Sequence, residues 1–473
     1  MLKKTDPDII QGYLEDSSAL KNGKADCVLI PENESEIVEI VKQASKNIIP
    51  TTLSAGKTGT TGGCIPFKGQ ILSLEKLNKI IKISPSKKTA VCQPGITIEN
   101  LEKSLDKFDL AYPPDPTEKT AFLGGTVATN ASGARSFRFG PTRNWINRLR
   151  IVLSTGEILN LSRGKKQQRE QELLKIIRKS THYKMPQVKN AAGYFIKPDM
   201  DLIDLFIGSE GTLGIITEIE IKLLPKNKDI FECAAFFTSK EDALNFAQEA
   251  KTKKPLSLEY FDAHSLEHLR PKFSKIPPSA QAAVMFEQDV TSTSLSDQKD
   301  IEEYAKLLEK FNCPLDNVWF AETEKERENL RLLRHALPEI CNEIFKRSNQ
   351  TKISTDIAVP EKYNIEMVNY YDEILIPSQL DYLYFGHIGD NHIHVNIFPK
   401  NEKERKTAKD IYMQFIKKAV SLGGTISAEH GIGKIKTEYL KIMYGEKIIE
   451  EMKMIKKILD PAYILNLGNI FQA

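Results

Sequence analysis

An α+β protein with more than one core is what this sequence predicts, and three observations carry that expectation. Its 473 residues divide into roughly three structural units at about 150 residues each. The N-terminal half alternates amphipathic helices with short β-rich runs. Past Pro225-Lys226-Asn227-Lys228 the texture changes to long apolar runs separated by helices, as in an α+β unit with a mostly antiparallel sheet.

The elements follow in order. In 31–45, Asn33 can cap a helix, Glu36 stands three residues on, and Ile37, Val38, Ile40, Val41 and Ala44 make one apolar face. A short strand near 48–53 precedes a glycine-rich loop, and GQILSL (69–74) is a further strand. TAVCQPG (89–95) reads as a strand ending in a turn, with Thr97 capping the next helix. After Arg148, LRIVLSTGEIL reads as two strands around a Thr-Gly turn. The charged run 164–180 reads as a solvated helix, because acidic residues interleave with the basic ones. FECAAFF (231–237) and AAVMFEQ (282–288) are strands, with helices over 239–252 and 297–311, and helix returns from about Ser427.

Composition excludes several function classes. A net charge of +3 is too small to argue for a nucleic-acid partner. The 41% apolar and 27% charged content is that of a folded globular protein. There is no run of about 18 apolar residues for a spanning helix, and MLKKTDPDIIQGYLEDSS lacks the apolar core of a secretory signal. The six cysteines are far apart with no CxxC pair, so buried, reduced thiols and a cytoplasmic location are expected.

Three glycine-rich segments point to a ligand. In SAGKTGTTGG (54–63), Gly56, Gly59, Gly62 and Gly63 allow close backbone approach, while Thr58, Thr60 and Thr61 add hydroxyls. Consecutive amides in such a loop suit a diphosphate, although the spacing is neither a P-loop nor a dinucleotide fingerprint. The stretch 113–140 holds Gly124, Gly125, Gly133 and Gly140 with Thr126, Thr129, Asn130 and Ser132. A backbone so bare suits wrapping a flat polar ligand. IGSEGTLGIITEIEIKLLP (207–225) reads as a further wall of the same site.

A second constellation points to reaction chemistry. Four of the eight histidines lie between His387 and His430, in YLYFGHIGDNHIHVNIF and ISAEHGIGK. Gly389-Asp390-Asn391 signals a turn, which lets His387 and His394 face one another across a hairpin. Two imidazoles and a carboxylate make an open site for a divalent metal such as Zn²⁺ or Mn²⁺. Carboxylate recognition needs a fixed cation, and Arg331, Arg334 and Lys352 are the candidates nearby.

The three glycine segments look like the flavin domain of the vanillyl-alcohol-oxidase-type (PCMH-type) FAD proteins. More closely, the chain resembles the FAD-linked 2-hydroxyacid dehydrogenase family, from about residue 20 to the C-terminus. That resemblance implies a FAD-binding domain over 1–226, a substrate or cap domain with an antiparallel sheet over 227–426, and a C-terminal helical segment, 427–473. The last would complete the active site and pack on the FAD domain. It assigns the cofactor to Ala55, Gly56, Lys57, Thr58, Gly59, Thr60, Thr61, Gly62, Pro114, Asp115, Gly124, Gly125, Thr126, Ala128, Thr129, Asn130, Gly133, Glu210, Gly211, Gly214, Ile215 and Ile216. Relatives usually have glycine at Lys57. Covalent relatives attach the flavin through a histidine in the first loop or a cysteine elsewhere, and that loop has no histidine, so non-covalent FAD is implied.

The same resemblance makes His387, His394 and Glu429 metal ligands, His430 the catalytic base, Arg334 the carboxylate-binding arginine, and Asn396 and Lys352 substrate contacts. Arg331 then reads as a solvated helix residue. The sequence departs at Asn391-His392, where relatives usually carry Gly-Asn, so His392 reads as an extra polar contact or a solvent-facing side chain. Pro338 stands where some hydroxyglutarate-specific relatives have a hydroxyl, which disfavours that diacid. The implied reaction is oxidation of a small D-2-hydroxy acid, D-lactate-like or glycolate, with hydride passing to flavin N5 and metal-assisted deprotonation. Two alternatives are a non-redox transferase like alkyl-glycerone-phosphate synthase and the FAD subunit of a multi-subunit glycolate oxidase. A homodimer through the second domain follows by analogy only, the electron acceptor stays open, and no amphipathic basic helix points to peripheral membrane contact.

Overall fold

The structure is a computed structural model that describes residues 1–164, 167–227, 229–289, 295–348 and 353–472. Three larger sheets organise them, beside a two-stranded pairing of Leu110–Ala111 with Leu224–Pro225. The first has the order Leu2–Lys4, Cys27–Ile30, Gln70–Ser73, Thr51–Ser54, with its last three strands parallel. Parallel neighbours need a crossover, supplied by the helix Glu34–Asn47. Asn33 caps that helix by accepting from the Glu36 amide. The Glu36 carboxylate turns instead to the Glu32 amide and the N-terminal ammonium.

The second sheet is antiparallel, in the order Ile80–Ser84, Thr89–Cys92, Ile215–Lys222, Ile146–Val152, Ile158–Ser162. Its last two strands flank the predicted Thr-Gly turn, where Gly156 has φ +83°. Thr97 caps the helix Ile98–Asp106 as predicted, accepting from Asn100 N. The charged run forms the helix Gln168–Ser180, which keeps Leu173, Leu174 and Ile177 inward. Its charged residues occupy the outer face, with the exception of Glu170, which is buried.

The third sheet has eight antiparallel strands. Its main path runs Val318–Ala321, Ile230–Phe237, Ala282–Asp289, Ser257–Asp262, Asp381–Gly386, His392–Phe398 and Ile353–Ser354. Ile357–Ala358 also pairs with His392–Phe398. Strands buried along their whole length, such as Phe231–Phe237, lose the alternation of a half-exposed strand. Helices Lys240–Ala250 and Leu295–Lys310 fall where the sequence places them. The long helix Glu324–Ser348 contains Pro338, which cannot donate to the carbonyl of Arg334 one turn earlier.

The chain returns to its beginning at the end. Helices Thr437–Tyr444 and Glu446–Leu459 precede a segment in which Leu465 bridges Thr51 of the first sheet. Lys456, almost fully buried, donates to the Thr212 and Leu465 carbonyls and pairs with Asp460 at 2.9 Å. All six cysteines are free thiols. No helix among the described residues is long and apolar enough to cross a membrane.

One buried ion cluster sets the approach to the third glycine segment. Asp204, 6% exposed, holds Arg163 at 2.9 Å and Arg143 at 3.2 Å, and Arg143 also donates to the Ile207 carbonyl. Removing one partner of a buried pair strands the other charge. Asp204→Ala is therefore expected to cost about 3–5 kcal/mol in urea denaturation; a loss below about 1 kcal/mol would show that Arg143 is satisfied by carbonyls alone.

Candidate functional site

A cavity of about 1300 Å³ gathers most of the predicted site. Ala55 through Thr61, Gly124, Gly125, Thr126, Ala128, Thr129, Glu210, Gly211, Gly214 and Ile216 line one part of it, while Arg334, His387, His394, Asn396, Glu429 and His430 line another. Six of the residues assigned to the cofactor lie off its wall. Gly62 packs toward Leu20, and Ile215 belongs to a core cluster with Val152. Asn130 ends a helix at φ +50° and accepts from Arg143 N. Asp115 pairs with Lys119, and a Cβ on Gly133 would overlap the Asp115 carbonyl, so these two residues hold loops together. Pro114 is buried beside them. Lys352 falls outside the described residues.

The glycine-loop part of the cavity fits a polar, anionic cofactor. Among the described residues, the amides of Gly56 through Thr61 donate to no protein acceptor. Ser54 and Ser132 line the cavity, and their buried hydroxyls have no hydrogen-bond partner. Buried donors left unpaired are costly unless a ligand takes them. Lys57 has φ +57°, the left-handed region that explains glycine in relatives. Its side chain reaches away, to the Gly12 carbonyl at 2.5 Å and over the Tyr13 ring.

The histidine cluster is built from three elements. His387 lies just past the end of Asp381–Gly386, in the turn, while His394 pairs with Phe385 across the hairpin. The two are thus not cross-strand partners; their rings meet edge to face at 5.9 Å. Glu429 comes from the loop after Thr425, and its Oε1 is 3.4 Å from His387 Nε2 and 3.3 Å from His394 Nε2. Each imidazole's other nitrogen is fixed, His387 Nδ1 by Glu259 at 2.7 Å and His394 Nδ1 by the Thr355 carbonyl at 2.8 Å. Oxygen acceptors behind the ring are how ligating histidines are oriented.

Charge in this cluster is strongly organised. Burial alone would lower His387, but the Glu259 carboxylate holds it up at about 9. Against the cost of burial, His387 and Arg334 keep Glu259 ionised, at about 2. Burial likewise opposes the Glu429 charge, yet Lys189, 2.6 Å from its Oε2, and His387 hold it well below the usual carboxylate range. Burial pushes His430 down to about 4, so its ring is neutral near pH 7. Arg334 is 3.9 Å from Glu259, and the buried Asn396 stands within the same wall. Arg331 pairs with Glu324 and Glu328 on the helix surface.

Sequence reasoning missed Glu259, Lys189 and Asp356. Asp356 accepts from Ser427 Oγ, Lys436 Nζ and the amides of Glu429 and His430, all within 3.2 Å. Its signal was a lone charge in the apolar run ISTDIAVP, as Glu259 is in LSLEYF. His392 is fully buried, which excludes a solvent-facing side chain: its Nε2 is 3.0 Å from Asp356 Oδ1 and its Nδ1 3.8 Å from Glu429 Oε2.

Glu210 touches the cavity, but its carboxylate is used elsewhere. The amides of Ile432 and Gly433 donate to its two oxygens at 2.6 and 2.7 Å. Gly433 has φ +53°, and a Cβ there would overlap Thr61. These contacts fasten the loop carrying Glu429 and His430 to the third glycine segment, and the Lys434 amide, donating to the Thr61 carbonyl at 2.9 Å, ties it to the first. Glu210→Ala leaves two amides unpaired, at about 1–3 kcal/mol each. A lowered melting temperature with weakened flavin retention is expected; unchanged values of both would assign Glu210 no such role.

Comparison with known proteins agrees with this architecture. Residues 25–162 match the FAD binding domain family and residues 227–470 the family described as FAD linked oxidases, C-terminal domain. The chain is 30% identical over 468 residues to the glycolate oxidase subunit GlcD of Bacillus subtilis, covering 97% of this chain and 92% of that one. It is 30% identical over 451 residues to the D-lactate dehydrogenase of Archaeoglobus fulgidus, covering 94% and 90%. A solved alkyldihydroxyacetonephosphate synthase superposes with a TM-score of 0.68 at 17% identity, covering 98% of this chain and 82% of that one, a likeness of fold. The fold is the α+β, PCMH-type FAD-binding fold, and this chain belongs to the FAD-linked oxidase family of flavoprotein oxidoreductases.

Proposed function

We propose that this flavoprotein oxidises a small D-2-hydroxy acid, D-lactate-like or glycolate, to the 2-oxo acid, with FAD held non-covalently. The observation that carries the reading is one cavity in which Arg334, His430 and the His387–His394–Glu429 cluster share walls with the unpaired amides of Gly56–Thr61. The names of the two relatives point to the same substrate class.

The free amides and the hydroxyls of Ser54 and Ser132 would hold the cofactor. Two imidazoles and one carboxylate, each oriented from behind, fit a divalent ion such as Zn²⁺ or Mn²⁺. When bound, FAD supplies a two-electron acceptor and the ion supplies Lewis-acid polarisation. The protein's own residues do the rest. Arg334 offers a planar fork to the substrate carboxylate. His430, neutral and partly exposed to the cavity, accepts the hydroxyl proton. Asp356 holds the His430 amide at 3.0 Å and lies 3.5 Å from its Nδ1, so Nε2 is the nitrogen turned toward Glu429. Asn396 lines the wall beside His394. His387, His392 and Glu429 are buried behind it, while the His430 ring opens to the cavity.

His430→Ala is expected to retain bound yellow FAD and to slow anaerobic flavin bleaching by D-lactate on the order of 10²–10⁴-fold; wild-type rates would remove His430 from the reaction. A panel of D- and L-lactate, D- and L-2-hydroxyglutarate and the achiral glycolate, scored by bleaching with and without chelator, tests the substrate class. Bleaching by D-lactate or glycolate that chelation abolishes and Zn²⁺ or Mn²⁺ restores is expected. Failure of every 2-hydroxy acid to bleach the flavin would overturn the reading and favour a transfer without net redox.

A further inference from the structure

We propose that His392 is a third imidazole ligand of the ion site, making it a three-histidine, one-carboxylate centre. The inference rests on the ion site proposed above and adds a residue to it. The ligand atoms of His387, His392, His394 and Glu429 all lie within 4.8 Å of one another. His392 repeats the arrangement of its neighbours. In His387 one ring nitrogen is fixed by Glu259 and the other faces Glu429, and in His394 the Thr355 carbonyl does the fixing. In His392, Nε2 lies 3.0 Å from Asp356 Oδ1, in contact but outside hydrogen-bond geometry, while Nδ1 lies 3.8 Å from Glu429 Oε2, the other oxygen of the same carboxylate.

The ring has no other occupation. His392 is fully buried, and neither of its ring nitrogens makes a hydrogen bond. A buried imidazole nitrogen facing a carboxylate, with no donor or acceptor of its own, is costly unless something binds it. The ring centroids of His392 and His394 are 4.3 Å apart, and those of His387 and His392 5.5 Å. Lys189 donates to Glu429 Oε2, beside His392 Nδ1, while Oε1 faces His387 and His394; the ion would sit among the three rings with Oε1 as its carboxylate ligand. Four side-chain donors would fill a tetrahedral ion, so an ion that also meets substrate must accept five or six ligands.

The test counts imidazoles on the holoenzyme. Wild-type protein loaded with one equivalent of Cu²⁺ is expected to show three coordinated imidazoles by pulsed EPR. The variant His392→Asn, with its flavin absorbance and circular dichroism compared with wild type, is expected to show two. Its Co²⁺ affinity, measured by chelator competition, should fall at least the 10-fold that loss of a mere outer partner costs. Two imidazoles in the wild type, or an unchanged count in the variant, would overturn the assignment of His392 while leaving the ion site standing. The wild-type count decides even where the variant does not fold. Failure of the wild-type holoenzyme to take up Cu²⁺ or Co²⁺ would instead remove the ion site and this ligand together.

Discussion

Asp356 spends both carboxylate oxygens inside the protein, on the Lys436 ammonium, the Ser427 hydroxyl and two consecutive amides, those of Glu429 and His430. Backbone amides fix a loop's path in a way side-chain contacts cannot, because they leave neither residue free to rotate its peptide. The loop therefore presents Glu429 and His430 together, one carboxylate and one imidazole whose separation is set by adjacent positions in the chain. Burying this carboxylate is costly. Lys436, behind it, is also nearly inaccessible and makes the charge tolerable.

From that anchor the two halves of the molecule are coupled. Ile432 and Gly433, a few residues beyond His430, donate to Glu210 of the third glycine segment. The Asn466 side chain donates to the Glu210 carbonyl, and its own oxygen accepts from Leu53 N beside the first glycine loop. Lys189, from the segment after the charged helix, reaches Glu429 itself. A reaction shared by a flavin and an acid–base group needs both fixed to fractions of an ångström. A chain that folded these halves independently would leave that distance to domain motion.

How much of this was legible depends on where the determining contacts lie. Caps such as Asn33 and Thr97 are decided within four residues, so spacing alone predicts them. The glycine loops were legible because a ligand-wrapping backbone leaves a compositional trace. Yet the trace does not separate a glycine that faces the cavity, like Gly125, from one that lets two loops approach, like Gly133. His387, His394 and Glu429 were found because their residue types cluster. The groups that orient them were not, because Glu259 is 128 residues from His387 and Lys189 is 240 from Glu429. The first contact is set by sheet register, which the sequence expresses only as a charge out of place in an apolar strand; the second is made where two loops meet, Ala191 donating to the Ser427 carbonyl, and leaves no local trace.

That out-of-place charge also explains the electrostatics of the centre. Glu259 and Glu429 flank His387 at 2.7 and 3.4 Å on its two nitrogens, and together they hold a proton on a ring that burial would strip. A field of that sign favours positive charge at His387 Nε2, whether as a proton or as a divalent ion, and the two compete for the same lone pair. His430 sits in the opposite field: burial outweighs Asp356 and Glu429, and the Lys436 charge beyond Asp356 pushes the same way. Two neighbouring imidazoles are thereby driven apart, one toward carrying charge and one toward staying neutral with its lone pair free. Such a split between neighbouring titratable groups is how one site assigns separate roles to side chains of the same kind.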